Sequence, residues 1–112
     1  MRKRRDVRNL NEEIYERQVG ICKAFAHPTR LRLLDLIGRR DYVAADLHTQ
    51  LGVSKANLSQ HLAILKSAGV VVTRRNGVHI HCHLALPEVK KACQLIRSVL
   101  RAQIRSGRHL PL

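Results

Sequence analysis

The chain of 112 residues carries 21 Lys and Arg against 8 Asp and Glu, so its formal net charge is +13, and only 3% of its residues are aromatic. This length predicts one small domain with little room for a separate catalytic domain, and a hydrophobic share of 45% is enough for a packed core. The scarcity of aromatic residues disfavours RNA-binding sheets and single-strand grooves, which stack bases on aromatic rings. A small protein this basic most often binds a polyanion, and duplex nucleic acid is the leading candidate.

The sequence contains no apolar run long enough for a transmembrane helix and no signal-peptide core after the charged start. We therefore expect a cytoplasmic protein with no membrane partner. In that compartment the three cysteines are expected to be reduced thiols rather than a disulfide framework.

Positive charge is concentrated at the two ends of the chain, and carboxylates are missing from its middle. Residues 1–8 form a basic arm in which Asp6 is the single acid, and no acid follows Glu88. The stretch from Leu47 to Pro87 also contains no Asp or Glu. The arm is interpreted either as a solvated segment or as a source of non-specific phosphate contacts. The acid-free central stretch coincides with the motif described below.

Two helices are predicted in the first third of the chain. The first spans Asn9 to Ala26, where apolar residues recur at helical spacing. His27-Pro28 ends this helix, because the residue before a proline is pushed out of the helical region. Pro28 then suits the first turn of a second helix, which ends near Gly38 and has apolar residues nearly all round, as expected of a buried helix.

A helix-turn-helix is predicted next. A short third helix runs from Val43 to Leu51 and is closed by Gly52, which can take the left-handed conformation. Ser54 is a good N-cap for a fourth helix, which ends at Ala68-Gly69. Three leucines fall on one face of that helix: Leu58, Leu62 and Leu65. The short turn sets the two helices at a steep angle and leaves the fourth free to enter a major groove.

A β-hairpin and a last helix complete the domain. Strands are predicted over Val70–Arg74 and Val78–Leu84, and Asn76-Gly77 between them is the strongest short-range hairpin signal. Pro87 opens an amphipathic helix that runs to residue 105, and residues 106–112 are expected to be a flexible tail. The order α-α-α-α-β-β-α, mainly α with a small β-hairpin, predicts a winged helix-turn-helix domain over residues 9–105.

The fourth helix presents small and amide side chains on the face opposite its leucines. Asn57 and Gln60 can make paired hydrogen bonds to adenine, and Lys55 suits a phosphate. The alternative is an ordinary solvated polar face. Arginines near the hairpin tip suit phosphate or minor-groove contacts, although charges on an edge strand also prevent aggregation. The predicted DNA-binding residues are Ser54, Lys55, Ala56, Asn57, Ser59, Gln60, Arg74, Arg75 and Asn76. His61, beside two of the leucines, is instead expected to be a packed, hydrogen-bonded structural residue.

From Phe25 to about Leu100 these residues resemble the ArsR family of bacterial metal- and stress-responsive repressors. The resemblance rests on these segments in this order: Ala26-His27-Pro28-Thr29-Arg30-Leu31-Arg32-Leu33-Leu34, Asp46-Leu47, Leu51-Gly52-Val53-Ser54, Ser59-Gln60-His61-Leu62, Leu65-Lys66, Ala68-Gly69-Val70-Val71 and Arg74-Arg75-Asn76-Gly77. It implies a homodimer paired through the first and last helices, with two recognition helices on an inverted-repeat operator. The apolar faces of those two helices are an independent reason for a dimer, because a chain this short has little other core to cover them.

The inducer sites that are familiar in this family are not matched. Val43 and Ala45 stand where an arsenic and cadmium site has two cysteines, and the last helix lacks a suitable repeat of zinc ligands. Cys22 on the first helix and Cys93 on the last could instead meet at the dimer interface, binding a thiophilic metal or metalloid or reacting with a thiol oxidant. The alternative for both is a small buried hydrophobe. No other cofactor is expected.

The second strand of the hairpin carries one cysteine and three histidines on opposite faces. Cys82 alternates with apolar residues and is expected to face the core. His79, His81 and His83 share the other face, where a spacing of about 7 Å between alternate residues is awkward for binding one metal ion. A polar wing surface is therefore favoured for the three histidines.

The sequence shows no nucleophile-and-base pair, no phosphate-cradling glycine loop and no paired carboxylates, so we do not expect an enzyme. It favours a transcriptional regulator of the repressor type that binds duplex DNA sequence-specifically. The alternative is a basic architectural or ribosome-associated protein that binds nucleic acid without regard to sequence, which composition alone allows.

Overall fold

The computed structural model of the chain describes the backbone of residues 7–107 and the side chains of residues 11–107. Its elements, in chain order, are α1 (Val7–Phe25), α2 (Pro28–Ile37), β1 (Tyr42–Val43), α3 (Ala44–Leu51), α4 (Lys55–Ser67), β2 (Val71–Asn76), β3 (His79–Leu84) and α5 (Pro87–Arg105). The predicted winged helix-turn-helix order of helices and hairpin is confirmed. Residues 1–6 of the predicted arm and 108–112 of the predicted tail lie outside the described residues, while Val7 and Arg8 belong to α1.

The boundary between α1 and α2 follows from the His27-Pro28 pair, as predicted. His27 has an extended backbone (φ −158°, ψ 131°), and its Nδ1 accepts a hydrogen bond from the Thr29 N–H at 3.0 Å. The imidazole thus satisfies one of the N–H groups that the first turn of a helix leaves without an intrahelical partner. Pro28 occupies the first helical position, where it needs no N–H.

A short strand that the sequence prediction missed enlarges the predicted hairpin to a three-stranded sheet in the order β1-β3-β2. Tyr42 of β1 lies opposite Cys82 of β3, and Val43 lies opposite His81. The prediction that Val43 begins the third helix is therefore wrong: its backbone is extended (φ −85°, ψ 139°), and α3 begins at Ala44. Aromatic and β-branched residues favour this conformation, but two residues are too few to show the alternation that identifies a strand.

The hairpin turn lies one residue later than predicted. Asn76 pairs with His79 across the strands, so Gly77 and Val78 are the two central turn residues. Gly77 has a φ of 66°, which suits the first central position of a type II′ turn, where glycine is required. As a consequence, Arg75 and Asn76 belong to β2 rather than to the connecting loop.

The core is formed by the inward faces of the central elements. The largest fully buried side chains are Leu33 of α2, Leu47 of α3, Leu65 of α4 and Cys82 of β3. The predicted inward orientation of Cys82 is confirmed, and burial raises the pKa of its thiol against the opposing effect of the Lys66 charge. Cys82 is thus a buried apolar residue at the centre of the sheet.

The two long outer helices are anchored to this core at one end only. Among the residues with described side chains, α1 buries Ala24 and Phe25, and α5 buries Val89. Apolar side chains elsewhere on the two helices stay exposed: Ile14, Val19, Ile21, Leu95, Ile96, Val99, Leu100 and Ile104. The radius of gyration is 17.1 Å, against about 13 Å for a compact domain of 100 residues. No helix within residues 7–107 is long and apolar enough to cross a membrane.

Val71 and Val72 test this packing, because they are neighbours on the edge strand β2 and point to opposite faces. Val71 is 2% exposed and Val72 is 46% exposed. We expect Val71→Ala to lower the free energy of unfolding by about 1.5–3 kcal/mol, since it removes buried methyl groups. Val72→Ala should cost no more than about 1 kcal/mol, the range of strand propensities. Urea unfolding measures both, and equal losses would contradict the orientation of β2.

Candidate nucleic-acid interface

The turn between α3 and α4 is closed by backbone hydrogen bonds around one left-handed glycine. Gly52 ends α3 with a φ of 68°, as predicted, and its N–H donates to the Thr49 carbonyl at 3.2 Å. The Val53 N–H donates to the His48 carbonyl at 3.0 Å, and His48 Nδ1 lies 3.3 Å from the Val53 carbonyl oxygen. This reciprocal pairing fixes the direction in which the chain enters α4.

Ser54 caps α4, which confirms another sequence prediction. Its Oγ accepts a hydrogen bond from the Asn57 N–H at 3.0 Å, and its carbonyl accepts one from the Leu58 N–H at 3.0 Å. The remaining N–H groups of the first turn point along the helix axis with the positive end of its dipole. The beginning of α4 is therefore suited to a negatively charged partner.

The two faces of α4 separate as predicted. Leu58, Leu62 and Leu65 are buried against the core. The predicted DNA-facing residues of the cap and helix are all exposed: Ser54, Lys55, Ala56, Asn57, Ser59 and Gln60. The helix thus offers solvent a face of amide, hydroxyl and methyl groups together with one lysine, a chemistry that can form hydrogen bonds with base edges.

The β2–β3 hairpin, called the wing below, carries the other predicted residues, and Arg74, Arg75 and Asn76 are all exposed. Arg74 lies opposite His81 and Arg75 opposite Ile80, so the two arginines extend from opposite faces of β2. Arg75 lines a groove of about 560 Å³ between α4 and the wing, the wing groove, and Arg74 lies on the outer face. The two arginines, although adjacent in the sequence, therefore face different surroundings.

The wing groove is lined by basic residues of both α4 and the wing, and two of them, Lys66 and His79, were not among the predicted DNA-binding residues. Lys55 and Lys66 of α4 line it together with Arg75 and His79 of the wing. Lys66 follows Lys55 by about three helical turns, so helical periodicity could have placed the two on one face. Because residues 47–87 contain no Asp or Glu, no carboxylate of this segment offsets their positive charge.

The two candidate inducer thiols lie in different surroundings. Cys22 is exposed on α1, whereas Cys93 is half-buried beside Asp35 and Arg97, where α5 meets α2. Burial raises the pKa of the Cys93 thiol, with Arg97 opposing and Asp35 adding to the effect. The residues described within one chain include no group of three or more His, Cys, Asp or Glu that could hold a metal ion. A response through Cys22 and Cys93 across a dimer interface stays a prediction.

The histidines lie where the pattern places them. His79 is exposed, and His81 and His83 are half-buried on the face of β3 opposite Cys82, with His83 Nδ1 3.1 Å from the Asp41 carboxylate. The structural role predicted for His61 is confirmed, because its Nδ1 accepts a hydrogen bond from Arg30 at 3.2 Å.

Comparison with known proteins gives a consistent result. Residues 27–73 match the helix-turn-helix model described as bacterial regulatory protein, arsR family. An uncharacterised HTH-type transcriptional regulator of Mycobacterium tuberculosis, Rv0081, is 35% identical over 99 residues, covering 88% of this chain and 86% of the relative. The crystal structure of M. tuberculosis Rv0081 has a TM-score of 0.76 and covers 85% of this chain and 95% of that chain.

Two further proteins extend the comparison. A biofilm growth-associated repressor of Xylella fastidiosa is 32% identical over 80 residues, covering 71% of this chain and 68% of the repressor. The solution structure of a homodimeric winged helix-turn-helix DNA-binding domain of Mycobacterium bovis has a TM-score of 0.82 and covers 99% of this chain and 100% of that chain. At 24% identity, this last likeness shows the shared fold.

Ser54 tests the local construction of α4. We expect Ser54→Ala to lower the free energy of unfolding by about 0.5–2 kcal/mol, because the Asn57 N–H loses its acceptor. Ser54→Asp should retain most of the stability, since aspartate is an equally good cap. Ser59→Ala, at an exposed serine within the same helix, is the matched control and should lose none. Thermal and urea unfolding compare the three variants, and a Ser54→Ala protein as stable as wild type would contradict the cap.

Proposed function

The chain belongs to the ArsR family of bacterial regulatory proteins, and we propose that this DNA-binding transcriptional regulator is a repressor that binds its operator sequence-specifically as a homodimer. One observation carries the proposal. Lys55 and Ser59 of α4 and Arg75 of the wing line one groove beside the exposed polar face of α4, within a segment that contains no carboxylate. Such a surface is complementary both to base edges and to the phosphates that flank them.

In this proposal α4 lies in the major groove and its N-terminal half contacts the bases. Asn57 and Gln60 donate and accept at the edge of adenine, a pairing that discriminates it from the other bases. Ala56 is small enough to let the helix approach closely, and its methyl group suits the thymine methyl. Ser59 supplies a hydroxyl that can pair with either kind of base edge.

Phosphate contacts hold α4 in its register. The N–H groups at the beginning of α4, next to Ser54, and the ammonium of Lys55 face one strand of the duplex. Arg75, on the groove side of the wing, contacts the same backbone from the opposite wall, and Arg74 and Asn76 extend outward toward the adjacent minor groove. These contacts contribute affinity and orientation rather than sequence preference.

Dimerisation through α1 and α5 explains the exposed apolar faces of these helices. On α5, Leu95 is 67% exposed and Ile104 is 64% exposed, and on α1 Ile14 is 60% exposed. Contiguous apolar surface of this kind marks an interaction site, and a two-fold axis is the commonest way to cover it. A two-fold dimer places two copies of α4 on successive turns of the duplex, which requires an inverted repeat in the operator.

Sequence preference decides between this proposal and a sequence-independent architectural protein. The wild-type protein selects duplexes from a randomised pool of about 30 base pairs, long enough for two half-sites one helical turn apart. We expect the selected duplex to bind at least about a thousandfold more tightly than a scrambled duplex at physiological salt. An architectural protein would bind both equally and show only the common salt slope. Fluorescence anisotropy at two salt concentrations measures this, and equal affinities would contradict the proposal.

Two substitutions separate base contacts from phosphate contacts. Gln60→Ala should cost about 1–3 kcal/mol at one base pair of the selected duplex and relax the preference there. Arg75→Ala should weaken the selected and scrambled duplexes alike and reduce the slope of log K against log salt by about 1. Each variant is the control for the other. Sequence-independent losses from both would contradict the placement of α4 in the major groove.

A further inference from the structure

The side chain of Arg30 on α2 joins three helices. Its Nε donates to the Ala24 carbonyl at 2.6 Å, and one terminal nitrogen donates to the Lys23 carbonyl at 3.1 Å, so it satisfies two carbonyls at the end of α1. The other terminal nitrogen lies 3.2 Å from Nδ1 of His61 on α4. We call Arg30, His61 and these two carbonyls the Arg30 clasp. It links the helix with an exposed apolar face to the helix that presents the DNA-binding residues.

The clasp requires a neutral His61. A guanidinium can only donate, so Nδ1 of His61 has to accept and must carry no proton. The His27 ring packs against His61 with a centroid separation of 4.5 Å, and its own Nδ1 accepts from the Thr29 N–H. A proton on Nδ1 of His61 would face the Arg30 guanidinium and break the hydrogen bond between α2 and α4.

The charged and titratable groups around α4 disfavour protonation of His61. Burial, the His27 ring and the Arg30 guanidinium, in that order, hold the pKa of His61 below its ordinary value of 6.5. Lys23 and Arg30 line the surface between α1 and α4. On the other side, in the wing groove, α4 faces basic groups of its neighbours and of its own turns: His48, Lys55, Lys66, Arg75 and His79.

We propose that Arg30 and His61 are positioning residues that set the orientation of α4 relative to α1, and that protonation of His61 breaks this link, so that DNA affinity falls on acidification. This inference rests on the proposed function, since it takes α4 to be the DNA-binding helix and α1 to be part of the dimer interface. The inference adds regulation of DNA binding by pH, through a residue that is not itself one of the proposed DNA contacts.

The direction of the pH effect follows from linkage. Because the clasped state binds the proton more weakly than a state in which His61 is free, the two states differ little above pH 6.5, where both are neutral. As the pH falls from 6.5 through the lowered pKa of His61, the released state takes up the proton preferentially. The clasp is therefore complete at neutral pH and is lost on the acid side.

His61→Asn is the variant that isolates the proton. The Asn Oδ1 stands near the place of the imidazole Nδ1 and can accept from Arg30, but it does not titrate, and the two residues have similar helix propensities. Arg30→Lys keeps the positive charge but loses the fork that reaches three acceptors. Arg32→Lys, at an exposed arginine on the same helix, is the matched control for Arg30→Lys.

The experiment measures the Kd of the selected duplex at about pH 7.5 and pH 5.5 for the wild type and the variants. Effects of pH on DNA binding that do not involve His61 are shared by wild type and His61→Asn, so the comparison of the two removes them. One pKa unit corresponds to a tenfold change in affinity, and we expect the ratio of Kd at low to high pH to be at least about threefold larger for wild type than for His61→Asn. Arg30→Lys should weaken binding already at pH 7.5, and Arg32→Lys should not. Equal pH ratios for wild type and His61→Asn would overturn the proposal.

An NMR titration gives a second readout that needs no DNA. We expect the His61 ring of the wild-type protein to titrate below 6.5, and the amide signals of Lys23–Phe25 at the end of α1 to shift with the same midpoint. A midpoint at or above 6.5, or α1 amide signals that do not shift, would contradict the proposed role of His61. Because this titration uses the wild-type protein, it does not depend on whether the variants fold. If no duplex is selected at all, the proposed function fails, while this titration still decides the clasp.

Discussion

The interface depends on the burial of one face of α4. Leu58, Leu62 and Leu65 fill the space between α2, α3 and β2. Their burial stabilises the fold by at most about 5–9 kcal/mol of apolar transfer free energy. Because a helix has a fixed period, this burial leaves its amide and hydroxyl side chains on the opposite face. The left-handed Gly52 and the Ser54 cap then fix where the helix starts. The polar surface is therefore a geometric consequence of the core.

The fold determines where the net charge of +13 is presented to a partner. Positive charge alone favours any polyanion, but the carboxylates of this chain are excluded from the segment that builds α4 and the wing. The basic residues of that segment, Lys55, Lys66 and Arg75, converge on one groove. A dimer carries about twice the charge of one chain, so its binding to DNA is expected to depend steeply on salt.

The elements with strong local signals could be predicted from the sequence. Caps, a helix-breaking proline and the spacing of leucines give the five helices to within about two residues, since each signal acts on the chain nearest to it. The strand β1 could not be predicted, because two residues show no alternation and its stability comes from pairing with the distant β3. The hairpin turn was displaced by one residue, because a glycine can serve at either central position of a two-residue turn.

Some features of the candidate site could also be predicted from the sequence, and others could not. Exposure of the α4 residues follows from periodicity and was predicted. The assignment of Arg74 and Arg75 to opposite faces was not, because the predicted strand ended at Arg74 and left Arg75 outside it, whereas β2 continues to Asn76. The hydrogen bond between Arg30 and His61 joins residues 31 positions apart and depends on how α2 crosses α4. A structural role for His61 could be predicted from its position beside the leucines, but its partner could not.

The anchoring of α1 determines how a signal at a dimer interface would reach the DNA-binding face. α1 buries only Ala24 and Phe25 among its described side chains, so it has few rigid contacts through which to transmit a change in orientation. The Arg30 clasp lies at this same end of the helix and adds a directional hydrogen-bond link to α4. Coupling between two sites needs an element whose arrangement both sites bias. In this protein the end of α1 fits that description, because the proposed dimer contacts act on one side of it and the state of His61 acts on the other.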